Sequence, residues 1–407
     1  MSSADAQPSL QHFTIDRDLL EAKVPRIVIV GGGFAGLAAA HALRHSDAEL
    51  VLIDRRNHHI FQPLLYQVAT AVLSPSEIAA PIRQLEATQR NVTVLLAEVT
   101  GIDIASHTIE ASSPGVGVRK IGFDYLVIAT GMRPKRAATT EDEGERVRQM
   151  TFVLVGAGPT GVELAASLAQ MVKVTLRDNF RRIDPAKASI ILLDAGKRVL
   201  PTFAESLSRK VAGHLDKLGV TVLPGVKVDT VDEQGVIAGG NRIPSATVLW
   251  TAGVMASPIP KMLGSKTDRA GRALVDPFLK VVDAPGVFVV GDAASVMQDE
   301  HPVPGVAQAA IQEGRYVGRL IAKELKGQKV KRPFRYFDKG NMAVVGKNYA
   351  VLERGWLRTS GFLTWLVWAF VHVLSLPQLQ NRLRVQRQWL WSYFTGQRSS
   401  RLIPEPP

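Results

Sequence analysis

The chain contains 407 residues, enough for two or three domains that each bury a core of their own. A hydrophobic content of 46% and a charged content of 21% are typical of a folded globular protein and exclude a disordered one. The formal net charge of +12 indicates attraction to an anionic surface. Nucleic acid is not expected as a partner, because outside the C-terminal tail no basic run alternates with aromatic residues.

Cysteine is absent from the sequence. This excludes a disulfide framework, an iron–sulfur cluster and redox chemistry through a pair of thiols. The first 23 residues are polar and lack the apolar segment of a secretory signal, so we expect folding in a reducing compartment. His41 and His45 have the i, i+4 spacing of metal ligands, but no third ligand accompanies them and no metal site is predicted.

The stretch VPRIVIVGGGFAGLAAAHAL contains the first strong motif. Residues 26–30 are typical of a buried parallel strand, and the following segment 31–36, the first cradle, has the pattern GxGxxG before a small-residue helix. Its glycines allow a tight turn, close approach of a pyrophosphate and close packing of the helix. The next strand ends on Asp54, as expected of a carboxylate that binds an adenosine ribose. The residues predicted to bind this dinucleotide are Gly31, Gly33, Phe34, Ala35, Gly36, Asp54 and Arg55.

The same pattern recurs in TFVLVGAGPTGVELAASLA, where segment 156–161 is the second cradle. Its partner strand, SIILLDAG, ends on Asp194, which favours an unmodified ribose and therefore NADH. Lys197 and Arg198 lie close by and leave NADPH as the less favoured cofactor. The residues predicted to bind this second dinucleotide are Gly156, Gly158, Pro159, Thr160, Gly161 and Asp194.

Two cradles imply two dinucleotides. The simplest assignment is FAD to the first cradle and a nicotinamide nucleotide to the second. Two further strands support the flavin. DYLVIATG ends in the small residues Ala129, Thr130 and Gly131, which can lie against the first nucleotide. GVFVVGDAAS places Gly291 and Asp292 at the carboxyl end of a strand, where a carboxylate suits the ribitol hydroxyls of a flavin.

With these motifs the sequence resembles the two-dinucleotide flavoprotein reductases and, within them, the type II NADH:quinone oxidoreductases. The resemblance covers nearly the whole chain and rests also on NHHIFQPLLYQVATAVLSPSEIAAPIR, LLDAGKRVLPTF, LWTAGV, PGVAQAAIQEG and YFDKGNMAVVGK. It implies an α/β fold with two Rossmann-like dinucleotide-binding domains, for FAD and NADH, plus a C-terminal amphipathic membrane-docking segment. The expected boundaries are 24–136 and 267–325 for the FAD-binding domain, 137–266 for the NADH-binding domain, and 326–407 for the membrane-associating region.

The resemblance implies a non-proton-pumping enzyme that passes hydride from NADH to non-covalent FAD and then two electrons to a membrane quinone. Relatives that reduce disulfides or oxidise sulfide need a cysteine pair beside the flavin, which this sequence lacks. Two alternatives remain. One is a soluble FAD-dependent NADH reductase of a protein electron carrier, and the other is a flavin-binding protein with impaired turnover.

The motif PGVAQAAIQEG predicts a helix on which Gln308 and Gln312, four residues apart, share one face near the N-terminus. The positive end of the helix dipole suits a reduced flavin. The resemblance implies that both glutamines act catalytically in the flavin and quinone pocket, with Ala307 and Gln308 against the flavin. From the residues alone, two surface glutamines on an amphipathic helix remain the alternative.

The resemblance also assigns residues around the nicotinamide. Glu163, at the start of the second cradle's helix, is expected near the nicotinamide and the flavin ring with a role in proton transfer; the alternative is that it complements the helix dipole. Thr251, Ala252 and Gly253 are expected to line the nicotinamide side, because small residues let two flat rings stack. Lys339 is expected to contact the flavin and quinone region, although a solvated lysine is an equal alternative.

The last 52 residues of the chain, the C-terminal tail, contain five of the six tryptophans. Residues 361–376 are mostly apolar, but a helix that spans a bilayer needs about 20 such residues. The segment that follows contains arginines and no acidic residue. This composition predicts helices in the membrane interface, at the cytoplasmic face of the inner membrane of a bacterium. The alternative is a helical hairpin that packs on the core or on a second subunit, so a homodimer stays open.

The sequence departs from the family in one place. Only 19 residues, MRPKRAATTEDEGERVRQM, separate Gly131 from the second cradle's strand at Thr151, where the family has a longer connection. The shortening is expected to leave both cradles intact. It is also expected to affect how NADH meets the flavin, so that a lowered activity is an open outcome.

Overall fold

The computed structural model describes residues 24–70, 72–86, 89–113, 117–130, 132–133, 144–175, 184–253, 255–282 and 284–395. The chain divides into two compact units. The first unit comprises Met1–Asn57, Glu86–Gly131 and Ala256–Tyr336. The second unit comprises His58–Leu85, Met132–Met255 and Phe337–Pro407.

The described residues form many short strands and a smaller number of helices. The strands are β1 (Arg26–Val30), β2 (Glu49–Asp54), β3 (His58–Ile60), β4 (Ala79–Pro81), β5 (Val92–Leu96), β6 (Glu98–Asp103), β7 (Thr108–Ser113), β8 (Gly117–Gly122), β9 (Tyr125–Ile128), β10 (Met132–Arg133), β11 (Thr151–Val155), β12 (Ser189–Asp194), β13 (Val220–Pro224), β14 (Val228–Asp232), β15 (Gly235–Ala238), β16 (Asn241–Pro244), β17 (Thr247–Trp250), β18 (Met255–Ala256), β19 (Ala273–Leu274), β20 (Val287–Val289), β21 (Ala294–Ser295), β22 (Met297–Gln298), β23 (His301–Pro302), β24 (Asn341–Val344), β25 (Ala350–Arg354) and β26 (Leu357–Gly361). The α-helices are α1 (Phe34–Ala42), α2 (Leu65–Ala69), α3 (Pro75–Ile78), α4 (Ile82–Leu85), α5 (Gly144–Gln149), α6 (Pro159–Gln170), α7 (Glu205–Lys217), α8 (Ile259–Met262), α9 (Ala307–Glu324), α10 (Phe362–Ser375) and α11 (Leu379–Thr395).

The first unit is built on a five-stranded parallel sheet in the order β20-β9-β1-β2-β5, with Val30 of β1 opposite Ile53 of β2. Helix α1 packs closely on α9. A Cβ atom on Gly314 would lie 2.0 Å from the carbonyl oxygen of Ala35, so only glycine allows this approach. The inner strands β1, β2 and β9 are mostly apolar and buried, as in parallel sheets that are covered on both faces.

The second unit contains a four-stranded parallel sheet in the order β13-β12-β11-β17, flanked by α6 and α7. Val153 and Leu193 of this sheet pack with Val236 of the β14-β15-β16 meander into a core cluster. The antiparallel sheet β24-β25-β26 follows and leads into α10 and α11. The two parallel sheets with their crossover helices are the two predicted Rossmann-like folds, which the structure confirms.

Helices α10 and α11 belong to the second unit, where each buries one side. Trp368 and Val373 of α10 and Val385 of α11 are buried, whereas Leu363 and Phe370 are exposed. Within the described ranges, no helix is both long enough and apolar enough to cross a membrane.

Candidate functional site

The first cradle begins where β1 ends. The amide of Gly31 donates to the carbonyl oxygen of Ile53 at 2.7 Å, and Gly31 has a φ of +110°. A Cβ atom on Gly36 would lie 1.8 Å from the carbonyl oxygen of Gly31. The carboxylate of Asp54 accepts a hydrogen bond from the amide of Gly32 at 2.7 Å. The carboxylate therefore fixes the turn, and no residue other than glycine fits at its two ends.

The middle glycine of this cradle faces open space. A Cβ atom on Gly33 would have a single neighbour, the carbonyl oxygen of Ala129 at 4.0 Å. Gly33 is also the N-cap residue of α1, whose first turn contains no acidic side chain. The space in front of the helix N-terminus, where the dipole favours negative charge, fits a dinucleotide pyrophosphate.

The other residues predicted for the flavin lie in the same unit. Gly291 has a φ of +67°, and a Cβ atom there would lie 3.3 Å from both Ala35 and Ala310. Asp292 lies beside Gly305, just before α9 begins at Ala307, and burial raises the pKa of Asp292. The structure thus brings the first cradle, the end of β20 and the first turns of α9 together.

Five further predicted positions belong to the first unit. Thr130 accepts a hydrogen bond from the hydroxyl of Ser257 at 2.8 Å, whereas Gly131 lies outside the described residues. Gln308 and Gln312 are on α9, and both are partly exposed. Arg55 is exposed directly after β2.

Glu313 is a buried acid of this region that was not predicted from the sequence. Its side chain is on the inner face of α9, and its carboxylate accepts a hydrogen bond from the amide of Gly291 at 2.6 Å. Burial raises the pKa of Glu313 to about 8. The signal was present in the sequence, because Ala310, Glu313 and Val317 have the helical spacing of one buried face.

The second cradle repeats the geometry of the first in the second unit. The amide of Gly156 donates to the carbonyl oxygen of Leu193 at 2.7 Å, and Gly156 has a φ of +108°. A Cβ atom on Gly161 would lie 1.8 Å from the carbonyl oxygen of Gly156. The carboxylate of Asp194 accepts a hydrogen bond from the amide of Ala157 at 2.5 Å.

The space around this cradle also fits a dinucleotide. A Cβ atom on Gly158 would have no neighbour within 4 Å, and Pro159 and Thr160 begin α6 with exposed side chains. Ala252 lies against Gly156, because a Cβ atom there would be 2.7 Å from the amide nitrogen of Ala252. Gly253 follows with a φ of +64°. The hydroxyl of Thr251 donates to the carbonyl oxygen of Gly156 at 2.9 Å, so the three predicted residues of the LWTAGV motif are at the cradle or directly after it.

Glu163 is the acidic residue in the first turns of α6, the helix that follows the second cradle. Its carboxylate accepts a hydrogen bond from the amide of Val344 at 3.2 Å. The surrounding protein raises the pKa of Glu163 to about 8. At neutral pH this side chain therefore holds a proton.

Glu163 lines a cavity of about 190 Å³ in the second unit, which we call the aromatic cavity. Its aromatic lining is formed by Tyr66, Trp365, Trp368, Trp389 and Tyr393. Gln67 accepts a hydrogen bond from the indole of Trp389 at 2.8 Å and donates one to the hydroxyl of Tyr66 at 2.9 Å. Lys347 also lines this cavity, while Lys339 is exposed ahead of β24.

The described residues were also inspected for a metal site. There, no group of three or more His, Asp or Glu side chains is arranged to hold one. His41 is on α1, where partial burial together with the nearby charges of Arg44 and Arg315 lowers its pKa.

Two cradles on two parallel sheets define a protein that binds two dinucleotides, and comparison with known proteins agrees. Residues 25–314 match the family described as pyridine nucleotide-disulphide oxidoreductase. The chain is 39% identical to a type II NADH:quinone oxidoreductase of Mycobacterium tuberculosis, with 93% of this chain and 90% of that protein covered. It is 28% identical to a demethylphylloquinone reductase of Synechocystis, with 90% and 96% covered.

Among solved structures, the chain is similar to NDH2 of Plasmodium falciparum in complex with NADH. The TM-score is 0.83 at 19% identity, and 93% of this chain and 99% of that chain are covered, which shows a shared fold. The chain therefore belongs to the type II NADH:quinone oxidoreductases, within the pyridine nucleotide-disulphide oxidoreductase family. The resemblance predicted from the sequence is confirmed.

The alignment with the mycobacterial relative is longer than the part of this chain that it covers. The alignment has 422 positions but covers 93% of this chain of 407 residues, so it contains gaps on the side of this chain. Residues 134–143 of the connection lie outside the described residues, and helix α5 follows them.

Proposed function

We propose that this chain is a non-proton-pumping NADH:quinone oxidoreductase that passes hydride from NADH to FAD and two electrons to a membrane quinone. The observation that supports this most strongly is the presence of two cradles with equal geometry in one chain. The relative with 39% identity is named for the same reaction. The proposed FAD-binding domain, 24–136 and 267–325, covers most of the first unit, although its residues 58–85 belong to the second unit. Most of the proposed NADH-binding domain, 137–266, lies in the second unit.

The residues of the first unit fit non-covalently bound FAD. The first cradle, with Asp54 and Arg55, would bind the adenosine and pyrophosphate end, while Asp292 would accept hydrogen bonds from the ribitol. Ala129, Thr130, Gly131, Ala307 and Gln308 would lie against the flavin. When bound, FAD supplies the hydride acceptor and the electron donor of the reaction. The N-terminus of α9 would favour negative charge on the reduced ring.

The second cradle is proposed to bind NADH in preference to NADPH. Both carboxylate oxygens of Asp194 accept backbone hydrogen bonds, from Ala157 at 2.5 Å and from Gly196 at 2.6 Å, so the carboxylate is held at the strand end. A fixed negative charge there disfavours a ribose phosphate. The guanidinium of Arg198 donates to the carbonyl oxygens of Phe203 and Pro201, which reduces its availability to a phosphate.

Catalysis is proposed to involve Glu163, Gln308 and Gln312. Because its pKa is about 8, Glu163 holds a proton at neutral pH and can release it as negative charge develops on a quinone oxygen nearby. The amides of Gln308 and Gln312 would orient the flavin or the quinone through hydrogen bonds. Lys339 is proposed to contact the flavin and quinone region, but with weaker support, because its side chain is exposed.

A peripheral membrane location at the cytoplasmic face of a bacterial inner membrane is part of the proposal. It is supported by the exposure of Leu363 (76%), Phe370 (66%) and Phe394 (80%) on α10 and α11, together with the exposed Arg384 and Arg387. Apolar and cationic side chains together favour an interface of anionic lipid. A homodimer that covers the same apolar side chains is the competing explanation.

Vesicle binding separates these explanations. Replacing Leu363 and Phe370 with serine should abolish cosedimentation with anionic vesicles, while the matched replacement of the exposed Val118 should leave it unchanged. If the double variant instead changes from dimer to monomer and still binds vesicles, the membrane role of α10 is wrong.

An anaerobic titration of the purified flavoprotein with NADH, followed by a short-chain quinone, tests the proposed reaction. Bleaching of the flavin bands and their return would establish both half-reactions. Return with a protein carrier but not with quinone would favour the soluble reductase. Bound flavin that NADH never bleaches would favour the flavin-binding protein, with turnover lost through the short connection before Thr151.

A further inference from the structure

Glu313 is buried in the first unit, where it is 3% exposed, and neither cradle contains it. One oxygen of its carboxyl group accepts the amide hydrogen of Gly291 at 2.6 Å. Burying a carboxyl group costs free energy that an apolar side chain in the same place would not cost. The bond to Gly291 is therefore the feature that explains why α9 has an acid at this position.

The turn that Glu313 holds leads directly to Asp292. Gly291 has a φ of +67°, and because glycine adopts many backbone conformations, its own residue type does not fix the turn. Asp292 is partly exposed, and its carboxylate receives no hydrogen bond from the described residues. This carboxylate is therefore open to the hydroxyl groups of a ligand, and its direction depends on the turn before it.

The same turn lies between the first cradle and α9. A Cβ atom on Gly291 would be 3.3 Å from the side chains of both Ala35 and Ala310. Ala35 belongs to the first cradle, while Ala310, Glu313 and Gly314 are buried residues of α9. The bond from Glu313 therefore fixes the turn relative to the first cradle, which is proposed to bind the other end of the same ligand.

Glu313 holds the turn in its uncharged form. Burial raises the pKa of Glu313 to about 8, and the negative charge of Asp292 acts in the same direction. At neutral pH the oxygen bound to the amide of Gly291 thus belongs to a protonated acid. Glutamine has the same length, no charge and a carbonyl oxygen in the same place, so it can replace Glu313 in this bond.

We propose that Glu313 is a positioning residue for FAD: its carboxyl group holds the amide of Gly291 and thereby fixes Asp292 where it accepts hydrogen bonds from the ribitol. This inference rests on the proposed function, which assigns FAD to the first cradle. Glu313 acts through the turn and is not required to contact the cofactor itself. Its removal should therefore weaken the binding of the flavin end of FAD and leave that of the adenosine end unchanged.

The first test removes the acceptor atom. Flavin-loaded protein is diluted, and the FAD that it releases is measured by fluorescence, which gives the dissociation constant. Glu313→Leu, which fills the space but cannot accept the amide hydrogen, should weaken FAD about tenfold, whereas Glu313→Gln should stay within about twofold. The matched control is Glu324→Leu, which removes the other acid of α9 with its ion pair to Lys280 and should leave FAD affinity unchanged. Full FAD affinity in Glu313→Leu, or an equal loss in Glu313→Gln, would overturn the inference.

A double-mutant comparison tests whether Glu313 acts through Asp292. In protein that already has Asp292→Ala, Glu313→Leu should weaken FAD by less than about twofold more. A further loss of about tenfold would show that Glu313 supports the first unit independently of Asp292, and would overturn the inference. A melting curve of each variant verifies folding, and if Glu313→Leu does not fold, Glu313→Ala takes its place in both tests.

ADP separates the two ends of FAD, because it contains the adenosine and the pyrophosphate but no ribitol. The ADP concentration that displaces half of the bound FAD should fall about tenfold in Glu313→Leu, since FAD is weakened and ADP is not. An unchanged concentration would show that both ligands are weakened equally, which contradicts the proposed role. If NADH does not bleach the bound flavin, the proposed reaction fails, but these affinities still decide the role of Glu313. Failure of the unmodified protein to bind FAD would overturn both.

Discussion

The two cradles have the same backbone geometry although the chain between their parts differs in length. The amide bound by Asp54 is 22 residues away along the chain, whereas the amide bound by Asp194 is 37 residues away. In both cradles the aspartate ends the strand next to the first one and holds the glycine turn. The strand end, and not the number of intervening residues, therefore identifies the carboxylate.

The cradles differ in the helix that follows. Two residues after its last glycine, the first cradle has Ala38, whereas the second has Glu163. Helix α1 contains no acidic residue and packs on α9 through small side chains, while α6 places its carboxyl group at the aromatic cavity. Binding a dinucleotide therefore does not require the acid, so Glu163 is better explained by chemistry than by the construction of a cradle.

The strongest test of this comparison replaces the last glycine of each cradle with alanine. The added Cβ atom would lie 1.8 Å from a backbone carbonyl oxygen in both Gly36→Ala and Gly161→Ala, which costs about 3 kcal/mol or more. Gly36→Ala should be purified without flavin. Gly161→Ala should retain flavin, and NADH should no longer bleach it. Absorbance spectra before and after addition of NADH measure both effects.

Gly213→Ala is the matched control, because a Cβ atom at this exposed position of α7 would have no neighbour within 4 Å. It should raise stability by about 1 kcal/mol and leave flavin content unchanged. Retention of flavin by Gly36→Ala would contradict the assignment of the first cradle to FAD.

The second expected effect concerns the acid that only one cradle has. Glu163→Gln keeps an oxygen that can accept the amide hydrogen of Val344 but removes the exchangeable carboxyl proton. We expect quinone reduction to fall about 100-fold, the size of a lost general acid, with little change in flavin content. Stopped-flow reoxidation of the reduced flavin by quinone measures this. An unchanged rate would leave Glu163 without a role in proton transfer.

The cradles could be predicted from the sequence, whereas the aromatic cavity could not. Each cradle follows from local rules, since Gly31 and Gly156 occupy a conformation that favours glycine and each aspartate ends a strand. The cavity joins α2 and α6 with the consecutive helices α10 and α11, and these three parts of the chain are far apart in sequence. Helix α10 is apolar all round, so no periodicity distinguishes the buried Trp368 from the exposed Leu366.

A third test uses pH, because Glu163 titrates differently in the folded and unfolded protein. Its pKa is raised from 4.5 to about 8 by burial, so the folded protein favours the protonated form. The stability associated with this group is complete below pH 4.5 and decreases as the pH rises toward about 8. Glu163→Gln should therefore gain stability relative to the unmodified protein over this pH range. Denaturant unfolding at several pH values measures the difference, and a constant difference would contradict the raised pKa.

The smallest expected effects come from the aspartates that hold the two turns. In Asp54→Asn and Asp194→Asn one carboxylate oxygen is replaced by an amide group, which cannot accept a backbone hydrogen. The charge that strengthens the remaining bond is also lost, at a cost of about 1 kcal/mol. We expect Asp54→Asn to weaken FAD about fivefold and Asp194→Asn to raise the KM for NADH by a similar factor. The exposed Asp232, which belongs to neither cradle, provides the control as Asp232→Asn. Because the two carboxylates hold equivalent turns, a large effect at one and none at the other would show that the cradles are alike in shape but not in how they hold their ligands.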